Sequence, residues 1–142
     1  TGGRPPRAKP APPAAGAAAP GRPWPATVSA PKPGGQPVSV PTWYWFEGGR
    51  VLVNMDHGRK RLEWLRADPR VALSALDPDD WITHVSLQGR VVQLLDDEGL
   101  ADIDRIATHY TGKRYAVRDR PRVSAWIEID RWHAWGRLRS PR

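Results

Sequence analysis

The stretch Val51-Leu52-Val53-Asn54-Met55-Asp56-His57-Gly58-Arg59-Lys60-Arg61 opens as a short apolar strand, turns at Gly58, and enters a helix whose first turn carries three successive cations. Leu62 and Leu65 stand one helical turn apart behind them, and Asp68-Pro69 ends the helix, because proline cannot continue it. A helix start exposes N–H groups without partners and the positive end of the macrodipole. With Arg59, Lys60 and Arg61 there, and Gly58 admitting a ligand close to the backbone, the residues compose a phosphate seat. The competing reading is a solvated cationic face, with Asp56 capping the helix in place of a bound anion.

Upstream of this stretch, Ala26-Thr27-Val28 reads as a short strand and Pro31-Lys32-Pro33-Gly34-Gly35 as a turn. Val38, Val40 and Trp43 through Phe46 form a second strand, and Pro37 and Pro41 confine its first half to an edge or bulge. Glu47-Gly48-Gly49 then turns the chain into Val51–Val53 as a hairpin. Downstream, Val71, Leu73 and Ala75 mark a strand buried mostly on both faces, and Asp77-Pro78-Asp79-Asp80 a loop. Trp81 to Leu95 is one long strand whose apolar phase slips at Gly89-Arg90, predicting a bulge. Leu100, Ile103, Ile106, Ala107 and Tyr110 repeat at helical spacing from the acidic start Asp96-Asp97-Glu98 to a stop at Gly112. Val123, Ala125, Ile127 and Ile129 alternate as a strand, and Trp132 to Gly136 adds a final short one. A meander interrupted by two helices predicts a mainly-β fold, a small antiparallel barrel with helices over its ends or side.

Residues 1–23 are Pro, Ala, Gly and a few cations, with nothing large to bury, and predict a disordered or loosely polyproline arm. Pro12, Pro13 and Pro20 interrupt any apolar helix there, which argues against a signal peptide. The domain is expected over 24–137, with 138–142 a basic tail. The chain has no cysteine, which excludes a disulfide scaffold and suits a cytoplasmic setting. No apolar run reaches the roughly 18 residues a membrane helix needs, so no membrane partner is expected. A net charge of +7 favours anionic partners, although the preference for arginine over lysine and the abundance of alanine and proline point partly to codon bias.

The four histidines show no metal-ligand spacing, and there is neither a nucleophile elbow nor a P-loop. Asp77, Asp79 and Asp80 read as a solvated loop before a cation site. The eight tryptophans exceed what one small core requires. Trp132 and Trp135 flank His133, which suggests a dimer interface or a stacking platform for a planar ring. Seat plus platform describes a site for a nucleotide-like cofactor. Nucleic-acid binding is the weaker reading, because the cations gather at one helix start rather than along a groove.

Several runs together resemble the flavin and deazaflavin split-barrel family, the pyridoxamine 5'-phosphate oxidase-like group that includes reductases dependent on coenzyme F420. They are Gly34-Gly35-Gln36-Pro37-Val38, Val40-Pro41-Thr42-Trp43-Tyr44, Gly49 to Asn54, Gly58-Arg59-Lys60, and Leu65-Arg66-Ala67-Asp68-Pro69-Arg70-Val71. Val85 to Gly89-Arg90-Val91, Ile103-Asp104, Tyr110-Thr111-Gly112-Lys113 and Trp135-Gly136 continue the resemblance, in order, over about 24 to 137. It implies a six-stranded antiparallel split β-barrel and a homodimer with the cofactor in a groove between subunits.

Position by position, Arg59 and Lys60 match the basic pair that binds the cofactor phosphate, with Arg61 auxiliary. Asn54 and Met55 match the strand end beside it, and Gly58 the turn before it. His84 falls where flavin-binding relatives often carry glutamine, and Trp135 matches the segment that reaches the partner's cofactor. Glu63 and Trp64 depart from the Arg-Asn pair common there, and the usual N-terminal helix has no counterpart in 1–23. The implied activity is hydride transfer between F420 and a small organic substrate, with Lys113 and Arg114 weaker candidates for the cofactor's acidic tail. FMN is the alternative cofactor, and a non-catalytic cofactor-binding protein the alternative class. No catalytic acid, base or nucleophile stands out, and no metal is implied.

Overall fold

The computed structural model describes residues 23–138, so the expectations for the arm before Pro23 and for the tail beyond Leu138 lie outside the described residues. In chain order the elements are β1 (Ala26–Pro31), β2 (Pro37–Thr42), β3 (Trp45–Glu47), β4 (Arg50–Asp56), α1 (Lys60–Ala67), β5 (Arg70–Asp77), β6 (Asp80–Asp96), α2 (Ala101–Thr111) and β7 (Arg122–Trp135). The strands form one antiparallel sheet in the order β2-β1-β5-β6-β7-β4-β3.

Seven strands replace the expected six because the predicted second strand is broken at Trp43-Tyr44. Its first half, β2, is one edge of the sheet on β1, and its second half, β3, is the other edge on β4. One run of chain therefore supplies both edges. The sheet curls until those edges are joined through Trp43 and Tyr44 but share no ladder, which leaves the barrel split along this seam. Pro37 and Pro41 lack N–H donors, which keeps β2 at an edge.

The barrel bends on two bulges between β6 and β7. Gln88 pairs with Arg131 and Gly89 with Ile129, so Asp130 is the extra residue on β7; Val91 pairs with Ile127 and Gln93 with Trp126, so Val92 is the extra residue on β6. The phase slip expected at Gly89-Arg90 thus falls slightly later on β6, and its partner bulge sits opposite Gly89 on β7. The short final strand expected at Trp132 is not separate: β7 continues across its bulge for 14 residues.

Strand alternation points Val51, Val53 and Met55 of β4 into the barrel, where they meet Val123, Ala125 and Ile127 of β7. Leu62 and Leu65 of α1 close this core at one end. Leu52 faces the opposite side of β4 yet is fully buried, because Ile103, Ile106 and Ala107 of α2 cover that outer face. Asp97 positions α2: its carboxylate accepts from the N–H groups of Asp102 (2.8 Å) and Ile103 (2.9 Å), and also from Asn54 Nδ2 (3.0 Å). Asp97→Ala is expected to cost about 2–3 kcal/mol in urea unfolding, since it orphans two helix-start donors and removes one of the two bonds the Asn54 amide donates. A loss below about 0.5 kcal/mol would show that water replaces the carboxylate without penalty.

Candidate functional site

The cationic turn lies where β4 passes into α1. Arg59 occupies the helix N-cap with extended backbone and no side-chain cap. Asp56 does not cap the helix as the competing reading had it: its Oδ1 accepts from the Gly58 N–H at 2.9 Å. That bond, with Arg120 beside it at 3.5 Å, holds the Asp56 carboxyl below the usual carboxylate range against a small desolvation. Asp56 is thereby satisfied without neutralising the helix start. Arg59, Lys60 and Arg61 form no ion pair or side-chain hydrogen bond with any described residue.

Arg59 and Lys60 are exposed, whereas Arg61 is half-buried and lines a small internal space with Thr42, Asn54 and Met55. Burial first, and Arg59 second, lower its guanidinium from its ordinary value, but an arginine stays charged at neutral pH. Among the described residues, Arg59, Lys60 and the half-buried Arg61 thus keep three neighbouring cationic groups without an ionic partner, a donor set able to make charge-assisted bonds to an anion.

Asn54 and Met55 are placed by β4 and do different work. Met55 is 6% exposed and packs into the barrel core. Asn54 points outward into a polar network in which every part of its amide is used. Its Nδ2 donates to Asp97 and to Ser124 Oγ (3.1 Å), and its Oδ1 accepts from Arg122 Nε at 2.6 Å. Ser124 Oγ in turn donates to Asp102 at 2.7 Å. Asn54 therefore ties β4, β7 and the start of α2 together.

Beside this network lies a cleft of about 520 Å³ at the split of the barrel, lined by Thr42, Trp43, Ile103, Ile106 and Tyr110 together with Asn54. Trp43 stacks on Tyr110 (5.3 Å, 16°) and meets Tyr115 edge-on, while the Arg122 guanidinium lies 4.6 Å above the Tyr115 ring. The sequence showed Trp43 as a surplus tryptophan and Tyr110 as a helical apolar position. Arg122 and Tyr115 carried no signal, because only the β4–β7 register brings Arg122 to Asn54, and Tyr115 is reached through Arg122 and Asp104.

Asp104 holds the loop that carries Tyr115. It accepts from Arg118 Nη1 at 2.5 Å and from the Tyr115 N–H at 3.0 Å, and Arg118 is the main cause of a carboxyl pKa below the usual range. A folded pKa below the unfolded one means these bonds stabilise the fold fully above about pH 4 and are lost as the pH falls through the folded value. The thermal midpoint of Asp104→Asn is therefore expected to fall less than that of the parent between about pH 5 and pH 2.5. Parallel curves would remove Asp104 from the acid response.

His84 and Trp135 are cross-strand partners at the far end of β7, whereas Asp56 pairs with Arg122 at its beginning. Along the strand the two ends are separated by a contour of roughly 43 Å. Within one chain the expected site residues thus fall at two ends of β7. His84 Nδ1 lies 2.8 Å from the Ile82 carbonyl oxygen, which can only accept, so that nitrogen is the donor. Trp135 is 40% exposed and stacked on His133 at 5.4 Å, with Trp81 (71%) and Ile82 (49%) exposed on the adjoining strand end. Trp132, by contrast, is half-buried against the core.

Among the described residues no cluster of His, Asp or Glu can hold a metal ion, and no helix is long and apolar enough to cross a membrane. Solved structures share the fold. An F420 reductase aligns at a TM-score of 0.72 with 21% identity, covering 79% of this chain and 90% of its own. A conserved hypothetical protein from Mycobacterium tuberculosis aligns at 0.62 with 25% identity, covering 83% and 79%. A putative pyridoxamine 5'-phosphate oxidase from Listeria innocua aligns at 0.58 with 12% identity, covering 78% and 86%. No curated protein matches the chain. The family model for pyridoxamine 5'-phosphate oxidase matches residues 19–136, which takes in every strand and both helices, and the chain accordingly belongs to that family.

Proposed function

We propose that this protein is an oxidoreductase that binds the deazaflavin coenzyme F420 and serves hydride transfer between it and a small organic substrate. The observation that carries the reading is the uncompensated cation group Arg59, Lys60 and Arg61 at the start of α1. Membership of an oxidase family whose model covers this turn, and the fold shared with an F420 reductase, support it. The net charge of +7 favours a cofactor with a polyanionic tail.

Bound F420 would supply the hydride chemistry, and the chain's task is holding and orienting. Arg59 and Lys60 would hold the phosphate, Arg61 would back them from the half-buried side, and Gly58 would let the backbone approach. The two-part site supports a homodimer: a second copy would bring His84 and Trp135 to the seat of the first and cover the exposed Trp81 and Ile82. FMN is the second reading, favoured by the phosphate seat itself, which any phosphate monoester satisfies. A protein that binds the cofactor without catalysis is the third, and substrate-dependent oxidation of the bound reduced cofactor separates it from the first.

The test is fluorescence titration of the purified chain with F420 and, separately, with FMN. Micromolar or tighter F420 binding that weakens in Arg59→Ala is the expected result. Tight binding of FMN alone would replace the cofactor and keep the site, and binding of neither would overturn the reading.

A further inference from the structure

The turn that enters α1 holds a negative charge beside its cations. Asp56 Oδ1 accepts from the Gly58 N–H at 2.9 Å, and the Asp56 carbonyl accepts from the Arg59 N–H at 3.1 Å. Asp56 therefore takes two backbone donors that an anion at this turn would otherwise use. Such an anion meets the side chains of Arg59, Lys60 and Arg61 and the open N–H groups at the start of α1. It also meets the carboxylate, because a methyl group on Gly58 would stand 3.4 Å from Asp56 Oδ1.

The bond from Gly58 fixes one carboxylate oxygen beside the turn and favours the ionised form, and Arg120 adds to this. Arg120 compensates the charge weakly, since its contact is 3.5 Å long and its side chain is 68% exposed. Three cations alone would attract an anion more strongly the more charge it carried. A fixed carboxylate beside them offsets part of that gain for each added charge, so the site can discriminate by repulsion as well as by contact. Phosphate esters differ in this respect. A phosphodiester carries a single negative charge, and a monoester carries about one and a half to two at pH 7. The phosphate of F420 is a diester and that of FMN a monoester.

We propose that Asp56 is a specificity-determining residue of the seat, its carboxylate lowering the affinity for a phosphate monoester relative to a singly charged phosphodiester. This role rests on the phosphate-seat reading of Arg59, Lys60 and Arg61 and deepens it to the class of ester held. Glu63, the acidic residue in the first turn of α1, is exposed and serves as the comparison.

FMN and riboflavin 4′,5′-cyclic phosphate share a ring and differ in the ester. Each is titrated at about pH 8 and low salt into the full chain, into Asp56→Asn and into Glu63→Gln. Asparagine keeps an acceptor for the Gly58 N–H, so the thermal midpoint should hold. Asp56→Asn should gain at least about threefold more affinity for FMN than for the cyclic ester, the effect of one charge near another at a wet surface. F420 should respond as the cyclic ester does. Glu63→Gln, which removes the same charge, should shift the ratio about half as much or less.

An unchanged ratio in Asp56→Asn, or an equal shift in Glu63→Gln, would overturn the proposal. So would a chain that binds F420 and takes neither flavin ester, in the parent and in Asp56→Asn alike. In each of these cases weaker binding in Arg59→Ala would show that the seat itself stands. Failure of F420 and both flavin esters to bind would overturn the seat reading, and the role of Asp56 with it.

Discussion

Gly89→Ala is expected to destabilise the fold by about 3 kcal/mol or more, a large effect for a single methyl group. A Cβ at this position would stand 2.2 Å from the Glu128 carbonyl oxygen and 3.1 Å from Ile127 Cγ2. The usual relief, a shift of the backbone, is blocked on both sides. Gly89 pairs with Ile129 on β7 and with Val71 on β5, in the middle of the sheet. The close approach exists because Asp130 is squeezed out of register opposite it, and that bulge bends β6 and β7.

Gly58→Ala is the control, since its added Cβ would meet only Asp56 Oδ1 at an ordinary 3.4 Å. It should change stability by no more than about 0.5 kcal/mol. Urea unfolding of both variants decides the matter: a loss below about 1 kcal/mol for Gly89→Ala would mean that the bulge can relax. The bulge also matters to the site. It divides β6 into a half that reaches the seat end of the barrel and a half that carries His84 toward Trp135.

How far the fold was legible follows from which signals were local. The β4–α1 passage could be read because its apolar strand, glycine and helix stop lie within twenty consecutive residues, and the structure gives β4 and α1 close to those bounds. Helix α2 could be read from its apolar spacing and from Gly112, whose φ of +79° ends it in the left-handed region. The break at Trp43-Tyr44 could not. Trp43 through Phe46 has the composition of a strand, and only the closure of the sheet decides that one half pairs with β1 and the other with β4.

The same distinction separates the parts of the candidate site. Arg59, Lys60 and Arg61 are neighbours in sequence, so their clustering was visible. Asn54 was singled out for its position, but its engagement with Asp97, Ser124 and Arg122 depends on contacts 43 to 70 residues away in sequence. Alternation along β4 would have shown that Asn54 and Met55 face opposite sides. The placement of His84 and Trp135 at the far end from the seat follows only from the register of β6 on β7.

Replacing Arg59 and Lys60 together by alanine is expected to weaken binding of a phosphate-bearing cofactor by about 100-fold or more and to leave the thermal midpoint nearly unchanged. Each charge-assisted hydrogen bond to a phosphate is worth roughly 1.5–3 kcal/mol, and about 1.4 kcal/mol is a factor of ten. Both side chains are exposed and make no contact with a described carboxylate, so their loss removes little from the fold. Arg61→Ala should differ in kind. Its half-buried side chain lines an internal space with Thr42, Met55 and Leu65, and its removal should lower stability as well as affinity. FMN and riboflavin differ only by the phosphate, which allows the seat to be tested apart from the ring. If the seat holds the phosphate, the double variant should lose affinity for F420 and FMN and keep whatever affinity the parent has for riboflavin. The F420 and FMN affinities of the parent should also fall as salt rises, because exposed cations are screened. A double variant that binds both phosphorylated cofactors as the parent does would show that Arg59 and Lys60 are only a solvated helix face.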